Sequence, residues 1–140
     1  MEILKNKILK PFVNISIASF LLVSCNFGNS QIEIVTSDEM EYLILADSVQ
    51  LIDVRSFEDF QNKHIKGAQS IVFDSDFEEN IQLLDKTKPV AVYCRTGRRS
   101  KECSQILKDQ GFTKIYELKG GLEKWEYQDL LIESNTDVEN

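Results

Sequence analysis

The sequence is poor in the residues that bind metals, and this shortage excludes several kinds of site. Its 140 residues include one histidine, His64, and three cysteines, Cys25, Cys94 and Cys103. These few residues form neither a zinc-type cluster nor a C-x-x-C redox motif at their spacings. We therefore predict that the protein holds no metal and needs no cofactor.

Positive charge is scarce as well. The chain carries 16 lysines and arginines against 23 aspartates and glutamates, which gives a net charge of −7 at pH 7. Because nucleic-acid affinity depends on basic residues that neutralise phosphates, this balance excludes nucleic acid as a partner. Three of the four arginines nevertheless stand within five residues, at Arg95, Arg98 and Arg99. A local positive site in an acidic protein attracts a small anion rather than a polymer.

The most apolar run of the chain is too short to span a bilayer comfortably. This run, residues 12–24, reads FVNISIASFLLVS and follows Lys5, Lys7 and Lys10. A positive region followed by a short uncharged apolar run is typical of a secretory signal. An N-terminal core helix is the alternative, and it is disfavoured because no polar residue patterns the run at a helical period.

The run ends in LVSC, Leu22 to Cys25, and this ending resembles the lipobox of bacterial lipoproteins. In that class the signal is cut before the cysteine, which becomes the lipidated first residue. The resemblance implies a signal peptide over residues 1–24 and a lipidated Cys25 that opens a short tether, residues 25–33. The expected product is an exported lipoprotein, anchored by its lipid to a membrane of the bacterial cell envelope with its domain in the periplasm. A plain secretory signal remains the alternative. Loss of residues 1–24 would leave 13 basic and 22 acidic residues, a net charge near −9.

Apolar runs and capping signals alternate along the chain from residue 32. Thr36 and Glu39 have the spacing of a capping box, which predicts the start of a helix. The runs at residues 49–54 and 89–94 are mostly apolar, as in strands that are buried on both faces. Other strands are predicted at 32–35 and 114–118, and other helices at 57–62, 98–109 and within 120–131.

This alternation of strands and helices predicts an α/β fold. We expect a single domain over residues 34–132, with a mainly parallel central sheet flanked by helices on both faces. A polar tail, residues 133–140, follows it.

Cys94 ends one of these apolar runs, a few residues before a predicted helix. In open α/β sheets, ligands bind at the carboxyl ends of strands. Gly97 permits a bend that turns the backbone N–H groups toward one point, with the helix N-terminus behind them. Those donors and the neighbouring arginines would stabilise a thiolate, so the pKa of Cys94 should fall. A buried inert thiol and a disulfide with Cys103 are the alternatives.

Three segments, in this order, resemble the signatures of the rhodanese family. LIDVRSFEDFQNKHIKGAQSI, Leu51 to Ile71, resembles the first signature, and VYCRTGRRS, residues 92–100, resembles the active loop. GFTKIYELKGGLEKW, Gly111 to Trp125, resembles the closing signature. The resemblance extends over residues 34–130 and implies a single rhodanese domain.

Rhodaneses are sulfurtransferases, and the resemblance implies that activity for this chain. Cys94 matches the cysteine that attacks the outer sulfur of a donor such as thiosulfate or a persulfide. The cysteine carries that sulfur as its own persulfide and passes it to a thiol or cyanide. The expected partners are therefore a small anionic sulfur donor and a cyanide or thiol acceptor, including a thiol on a partner protein. The residues expected around the donor are Arg95, Thr96, Gly97, Arg98 and Arg99.

The resemblance also assigns roles to individual side chains. Arg99 closes the six-residue loop and is expected to bind the donor's anionic end together with Arg95, whereas Arg98 fits a solvated surface position equally well. Asp53 and Arg55 are expected to be structural ion-pairing groups beneath the loop. Packing roles are expected for His64, Cys103 and Trp125.

Two rival functions remain open. A cysteine phosphatase or arsenate reductase is one, but cysteine phosphatases place five residues between their cysteine and arginine, whereas Cys94 and Arg99 enclose four. A larger loop that ended at Ser100 would lack the guanidinium that phosphate transfer needs. The other rival is a non-catalytic rhodanese module that binds partners. Such modules commonly lack the cysteine that this chain keeps.

Overall fold

The computed structural model describes residues 30–133 as an alternation of strands and helices. The strands are β1 (Gln31–Val35), β2 (Gln50–Asp53), β3 (Lys63–Ile65), β4 (Gln69–Ser70), β5 (Val90–Tyr93), β6 (Lys114–Leu118) and β7 (Leu131–Glu133). The helices are α1 (Ser37–Leu45), α2 (Phe57–Asn62), α3 (Phe77–Asn80) and α4 (Arg98–Asp109). Short 3₁₀ turns lie at Ile81–Leu83, Gly121–Lys124 and Gln128–Leu130.

Five of the strands form one parallel sheet in the order β1-β6-β5-β2-β4. Met40 of α1 is buried in the core on one face of this sheet, and Phe77 of α3 and Leu107 of α4 are buried in the core on the other. The predicted α/β fold, with a mainly parallel sheet and helices on both faces, is confirmed. Strands β3 and β7 form a separate antiparallel pair.

Strand β5 is buried on both faces of the sheet. Val90 and Val92 belong to the core beneath α3 and α4, whereas Ala91 and Tyr93 belong to the core on the α1 side. Successive side chains of a strand point to opposite faces, so an unbroken apolar run is what a central parallel strand requires. The position of Cys94, which follows directly, is therefore held by packing on both sides.

The ends of β2 and β5 lie side by side. Asp53 is paired in register with Tyr93, and the chain leaves the sheet after each of them. The segment after β2 leads into α2, and the segment after β5 leads through Cys94 into α4. Parallel pairing thus brings α2 and the cysteine loop to the same edge of the sheet.

The first two helices of the chain, α1 and α2, begin with capping hydrogen bonds. Thr36 Oγ1 accepts from the N–H of Glu39, whose carboxylate accepts from the N–H of Thr36 at 2.8 Å, so the predicted capping box is present. Ser56 caps α2, since its Oγ accepts from the N–H of Asp59 at 3.2 Å. This cap fixes the first turn of α2, which carries Asp59.

The prediction of a helix within residues 120–131 is wrong. The chain there forms two separate 3₁₀ turns, and Trp125 between them is extended, with ψ of 126°. Trp125 and Leu130 are both buried in the core on the α1 side. Residues five apart point about 140° away from each other in an α-helix, so one helix could not bury both.

The antiparallel pair of β3 and β7 is a feature that the sequence analysis missed. Glu133, assigned there to the polar tail, pairs in register with Lys63. The signal peptide at 1–24, Cys25 with most of its tether, and residues 134–140 lie outside the described residues. Within residues 30–133, no helix is long and apolar enough to cross a membrane.

Removal of the buried carboxylate at the end of β2 should destabilise the fold strongly. Asp53 is fully buried and its Oδ2 accepts from Arg55 Nη2 at 2.7 Å. Asp53→Asn leaves that guanidinium buried without its counter-charge, which costs about 3 kcal/mol. The exposed pair of Glu33 and Lys114 supplies a control, because Glu33→Gln should cost less than about 1 kcal/mol. Urea unfolding measures both, and equal small losses would contradict the structural role.

Candidate active site

Cys94 stands at the entry of a tight loop between β5 and α4. Its side chain is buried, at 2% residue exposure. Gly97, the residue before α4, has φ of +95°, a left-handed conformation that favours glycine. That bend returns the backbone toward the cysteine, so that the N–H of Gly97 donates to Cys94 Sγ at 3.1 Å.

Ser100 is the second group on the sulfur, and the sequence analysis did not assign it a role. It is fully buried in the first turn of α4, and Cys94 Sγ donates to its Oγ at 3.7 Å. The same hydroxyl donates to the carbonyl of Gly97 at 3.1 Å. On deprotonation of the thiol, the hydroxyl can rotate and donate to the sulfur, since its hydrogen turns freely.

These donors act on the pKa of Cys94. Burial of the thiol alone would raise that pKa, but hydrogen bonds from Ser100, through its N–H and its hydroxyl, and from the N–H groups of Gly97 and Thr96 outweigh it. The pKa of Cys94 therefore lies below its ordinary value. Hydrogen bonds to the charged form favour that form, so loop amides and a helix N-terminus provide here what a neighbouring base provides in other thiol enzymes.

A cavity of about 290 Å³ opens above the sulfur, and cationic side chains dominate its lining. Arg98 and Arg99 are both exposed along it. Arg95 donates from Nη2 to Asp59 Oδ1 at 3.2 Å. The lining residues are Asp59, Cys94, Arg95, Thr96, Arg98 and Arg99.

The structure thus brings five of the predicted site residues to one cavity, and it adds Asp59. The sixth, Gly97, contributes its backbone to the sulfur. Asp59 comes from α2, at a distance of 35 positions from Cys94 in the chain. The sequence offers many carboxylates that could face the three arginines. The pairing of β2 with β5 places α2 beside the cysteine loop, and for this reason Asp59 is the carboxylate that lines the cavity.

The backbone of the loop is held from below by the 3₁₀ turn at Gly121–Lys124. The N–H of Leu122 donates to the carbonyl of Cys94 at 2.9 Å, and the N–H of Glu123 donates to that of Arg95 at 3.0 Å. Gly121 has φ of +63°, and a Cβ at this position would lie 2.5 Å from both carbonyl oxygens. The second glycine of the GGLEKW segment is therefore required by the close approach of two backbones.

Asp53 and Arg55 join each other beneath the site, and neither lines the cavity. Arg55 donates from Nε and Nη2 to the carboxylate of Asp53. It also donates to the carbonyl of Lys63, the residue that follows α2. The N–H of Ile65 donates to Tyr93 Oη at 3.0 Å. These contacts tie the end of α2 to the strands that carry the cysteine loop.

Cys103, His64 and Trp125 lie outside the lining of the cavity. Cys103 is fully buried in α4, and burial is the main reason that its pKa is raised to about 12. Cys94 and Cys103 are both free thiols. His64 stacks on the ring of Phe60 at 3.9 Å between centroids, and the indole N–H of Trp125 donates to the carbonyl of Tyr127 at 2.7 Å.

Comparison with known families agrees with this geometry. Residues 36–128 match the rhodanese-like domain family. The chain belongs to that family. A rhodanese-like domain protein of Staphylococcus aureus has a similar structure, with a TM-score of 0.64 and 27% identity, over 73% of this chain and 99% of the other.

Two proteins with similar sequences illustrate the relatives of this chain. A protein of Coxiella burnetii named thiosulfate sulfurtransferase GlpE is 35% identical over 83 residues, which are 59% of this chain and 77% of that protein. YqhL of Bacillus subtilis is 39% identical over 90 residues, 64% of this chain and 71% of that protein. One of these two relatives is thus named for sulfur transfer.

Loss of the hydroxyl beneath the sulfur should raise the pKa of Cys94. Ser100→Ala removes one donor, and a hydrogen bond to a charged group contributes about 1.5 kcal/mol, or about one pKa unit. Alkylation of Cys94 by iodoacetamide should slow by up to about tenfold near neutral pH. It should approach the wild-type rate at high pH, where Cys94 is ionised in both proteins. Ser104→Ala, which removes a buried hydroxyl one turn along α4, is the control. An unchanged pH profile in Ser100→Ala would show that the hydroxyl does not stabilise the thiolate.

A methyl group at Gly121 should disturb the loop more than the fold. Gly121→Ala forces two carbonyl oxygens away from their positions, so alkylation of Cys94 should slow by about tenfold or more, as expected for a misplaced reactive group. Gly67→Ala is the matched control, because Gly67 also has positive φ but has no atom within 4 Å of an added Cβ. Both variants should lose about 1 kcal/mol of stability from backbone strain, and Gly121→Ala should lose more because its Cβ also displaces two backbone carbonyls. Equal alkylation rates in the two variants would contradict the supporting role of the turn.

Proposed function

We propose that this protein is a sulfurtransferase that moves a sulfane sulfur through a persulfide on Cys94. The observation that carries the proposal is the placement of Cys94 Sγ among loop donors, beneath a cavity lined by three arginines. The cavity suits a small anion, and the lowered pKa of the thiol suits a nucleophile. The named Coxiella burnetii relative supports the same chemistry.

The reaction divides into two half-reactions, as expected for a covalent intermediate. With thiosulfate as donor, the thiolate of Cys94 attacks the outer sulfur. The sulfur–sulfur bond of the donor breaks, and sulfite leaves with the bonding electron pair. In the second half, cyanide or a thiolate attacks the outer sulfur of the persulfide. The Cys94 thiolate then departs with its electron pair and is ready for another donor.

The protein groups act on charge in both half-reactions. The N–H groups that face Cys94 Sγ hold the thiolate and then the persulfide anion, whose charge lies on the outer sulfur. Arg99, with Arg98 beside it in the cavity, receives the oxygen atoms of the donor, since a guanidinium fork fits such groups. Arg95 is engaged with Asp59 and contributes less to the donor.

Mass measurement of the protein after incubation with thiosulfate tests the proposal. The purified full chain should gain about 32 daltons, one sulfur atom, and should release thiocyanate when cyanide is added. Cys94→Ser should abolish both the added mass and the transfer. Cys103→Ser should keep both, because Cys103 is buried with a raised pKa and lies outside the cavity.

Two results with sulfur donors would contradict this function. One is the absence of added sulfur on the wild-type protein with thiosulfate and with organic persulfides alike. The other is added sulfur that persists in Cys94→Ser and disappears in Cys103→Ser. Efficient release of phosphate from aryl phosphates without thiocyanate formation would favour a phosphatase instead.

We also propose that the domain works outside the cytoplasm as a lipid-anchored protein. The support is the LVSC sequence at residues 22–25 after a short apolar run, which is suited to a signal and too short for a comfortable span. Cys25→Ser should therefore abolish labelling by a fatty-acid analogue in bacteria and leave an unprocessed precursor. Labelling that persists in this variant would contradict the proposal.

A further inference from the structure

One carboxylate lies among the cationic side chains of the cavity. Asp59 Oδ1 is 3.2 Å from Arg95 Nη2, and both residues line the cavity above Cys94. The side chain of Asp59 is 32% exposed, whereas that of Arg95 is 63% exposed. The carboxylate is therefore the less exposed member of the pair, and its negative charge acts on ligands in the cavity.

The charge of Asp59 changes what the cavity attracts. Its lining holds three arginines and this one aspartate, so Asp59 lowers the charge of the lining side chains from +3 to +2. A thiolate on Cys94 lowers it further, to +1. Asp59 also occupies a donor of Arg95 that would otherwise be available to an anion. Both effects weaken the attraction of the site for highly charged anions.

We propose that Asp59 is a specificity-determining residue that shifts donor preference from dianions toward sulfur donors of lower charge. Thiosulfate is a dianion, whereas organic thiosulfonates and the persulfides of many small thiols carry less charge at the reacting end. The inference rests on the proposed sulfur transfer through Cys94. It adds the charge class of donor for which the cavity is built.

The proposal has a quantitative signature. The energy of a fixed charge with a ligand is proportional to the charge of the ligand. At separations of several ångströms in a solvent-like dielectric, removal of one negative charge should speed capture of a monoanion about threefold and of a dianion about tenfold. A neutral reagent should gain nothing from this attraction, so its rate is the reference for the other two. A purely structural effect of the substitution would change all three alike.

Alkylation of Cys94 tests this signature without any need for sulfur transfer. The rate ratio of iodoacetate, an anion, to iodoacetamide, which is neutral, is measured at the Cys94 peptide of the full chain by mass spectrometry. Asp59→Asn should raise this ratio about threefold, and the gain should shrink at high ionic strength. Asp59→Glu, which keeps the charge, should retain the wild-type ratio.

Glu58→Gln is the matched control. Glu58 is exposed in the same helix and does not line the cavity, so this substitution makes the same change in net charge outside the site. It should leave the ratio unchanged. No residue of α2 is fully buried, so substitutions at Asp59 should fold. Asp59→Ser provides a second neutral variant with the same expected gain.

Sulfur loading by two donors completes the test. The ratio of kcat/KM for thiosulfate to kcat/KM for benzenethiosulfonate, a monoanion, should rise about threefold in Asp59→Asn and stay constant in Glu58→Gln. If every protein loads sulfur but both ratios stay the same in Asp59→Asn, the inference is overturned and the proposed function stands. If no donor loads sulfur on the wild type, the proposed function and this inference are both overturned.

Discussion

The hydrogen bonding of Cys94 Sγ by the backbone that surrounds it is the interaction on which the site depends. The sulfur receives the N–H of Gly97 at 3.1 Å, and Ser100 lies against it in the first turn of α4. Burial would otherwise raise the pKa of this thiol, and the donors reverse that effect. Within residues 30–133, the side chains around the sulfur include no histidine that could serve as a base. The geometry of the loop therefore has to be maintained by the rest of the fold.

Three parts of the fold maintain that geometry. Strand β5 is packed on both faces and fixes where the loop begins. The 3₁₀ turn that starts at Gly121 binds the carbonyls of Cys94 and Arg95 from below. The buried pair of Asp53 and Arg55 joins the end of β2 to the segment that follows α2. That last connection brings a helix from a distant part of the chain to the wall of the cavity, with its carboxylate next to Arg95.

The features that could be predicted are those formed by residues close together in the sequence. An apolar run, a cysteine, a glycine and clustered arginines lie within about a dozen consecutive residues, so their chemistry could be interpreted before the fold was known. Asp59 and Gly121 act on the loop from distant parts of the chain, and their importance depends on strand pairing and on backbone contact. The final segment is predicted as a helix, but the burial of both Trp125 and Leu130 is incompatible with one α-helix, and the chain forms two 3₁₀ turns instead. The short β3–β7 pair has too few residues for its pattern to stand out.

The central claim is that the loop holds Cys94 as a thiolate at pH values where an ordinary thiol is still protonated. Titration of thiolate absorbance tests it most directly, with the difference between wild type and Cys94→Ser isolating the one sulfur. The claim predicts that this sulfur ionises below the ordinary thiol range, well before Cys103, whose pKa is raised to about 12. Ionisation of Cys94 at or above the ordinary range would contradict it, because burial would then outweigh the loop's donors.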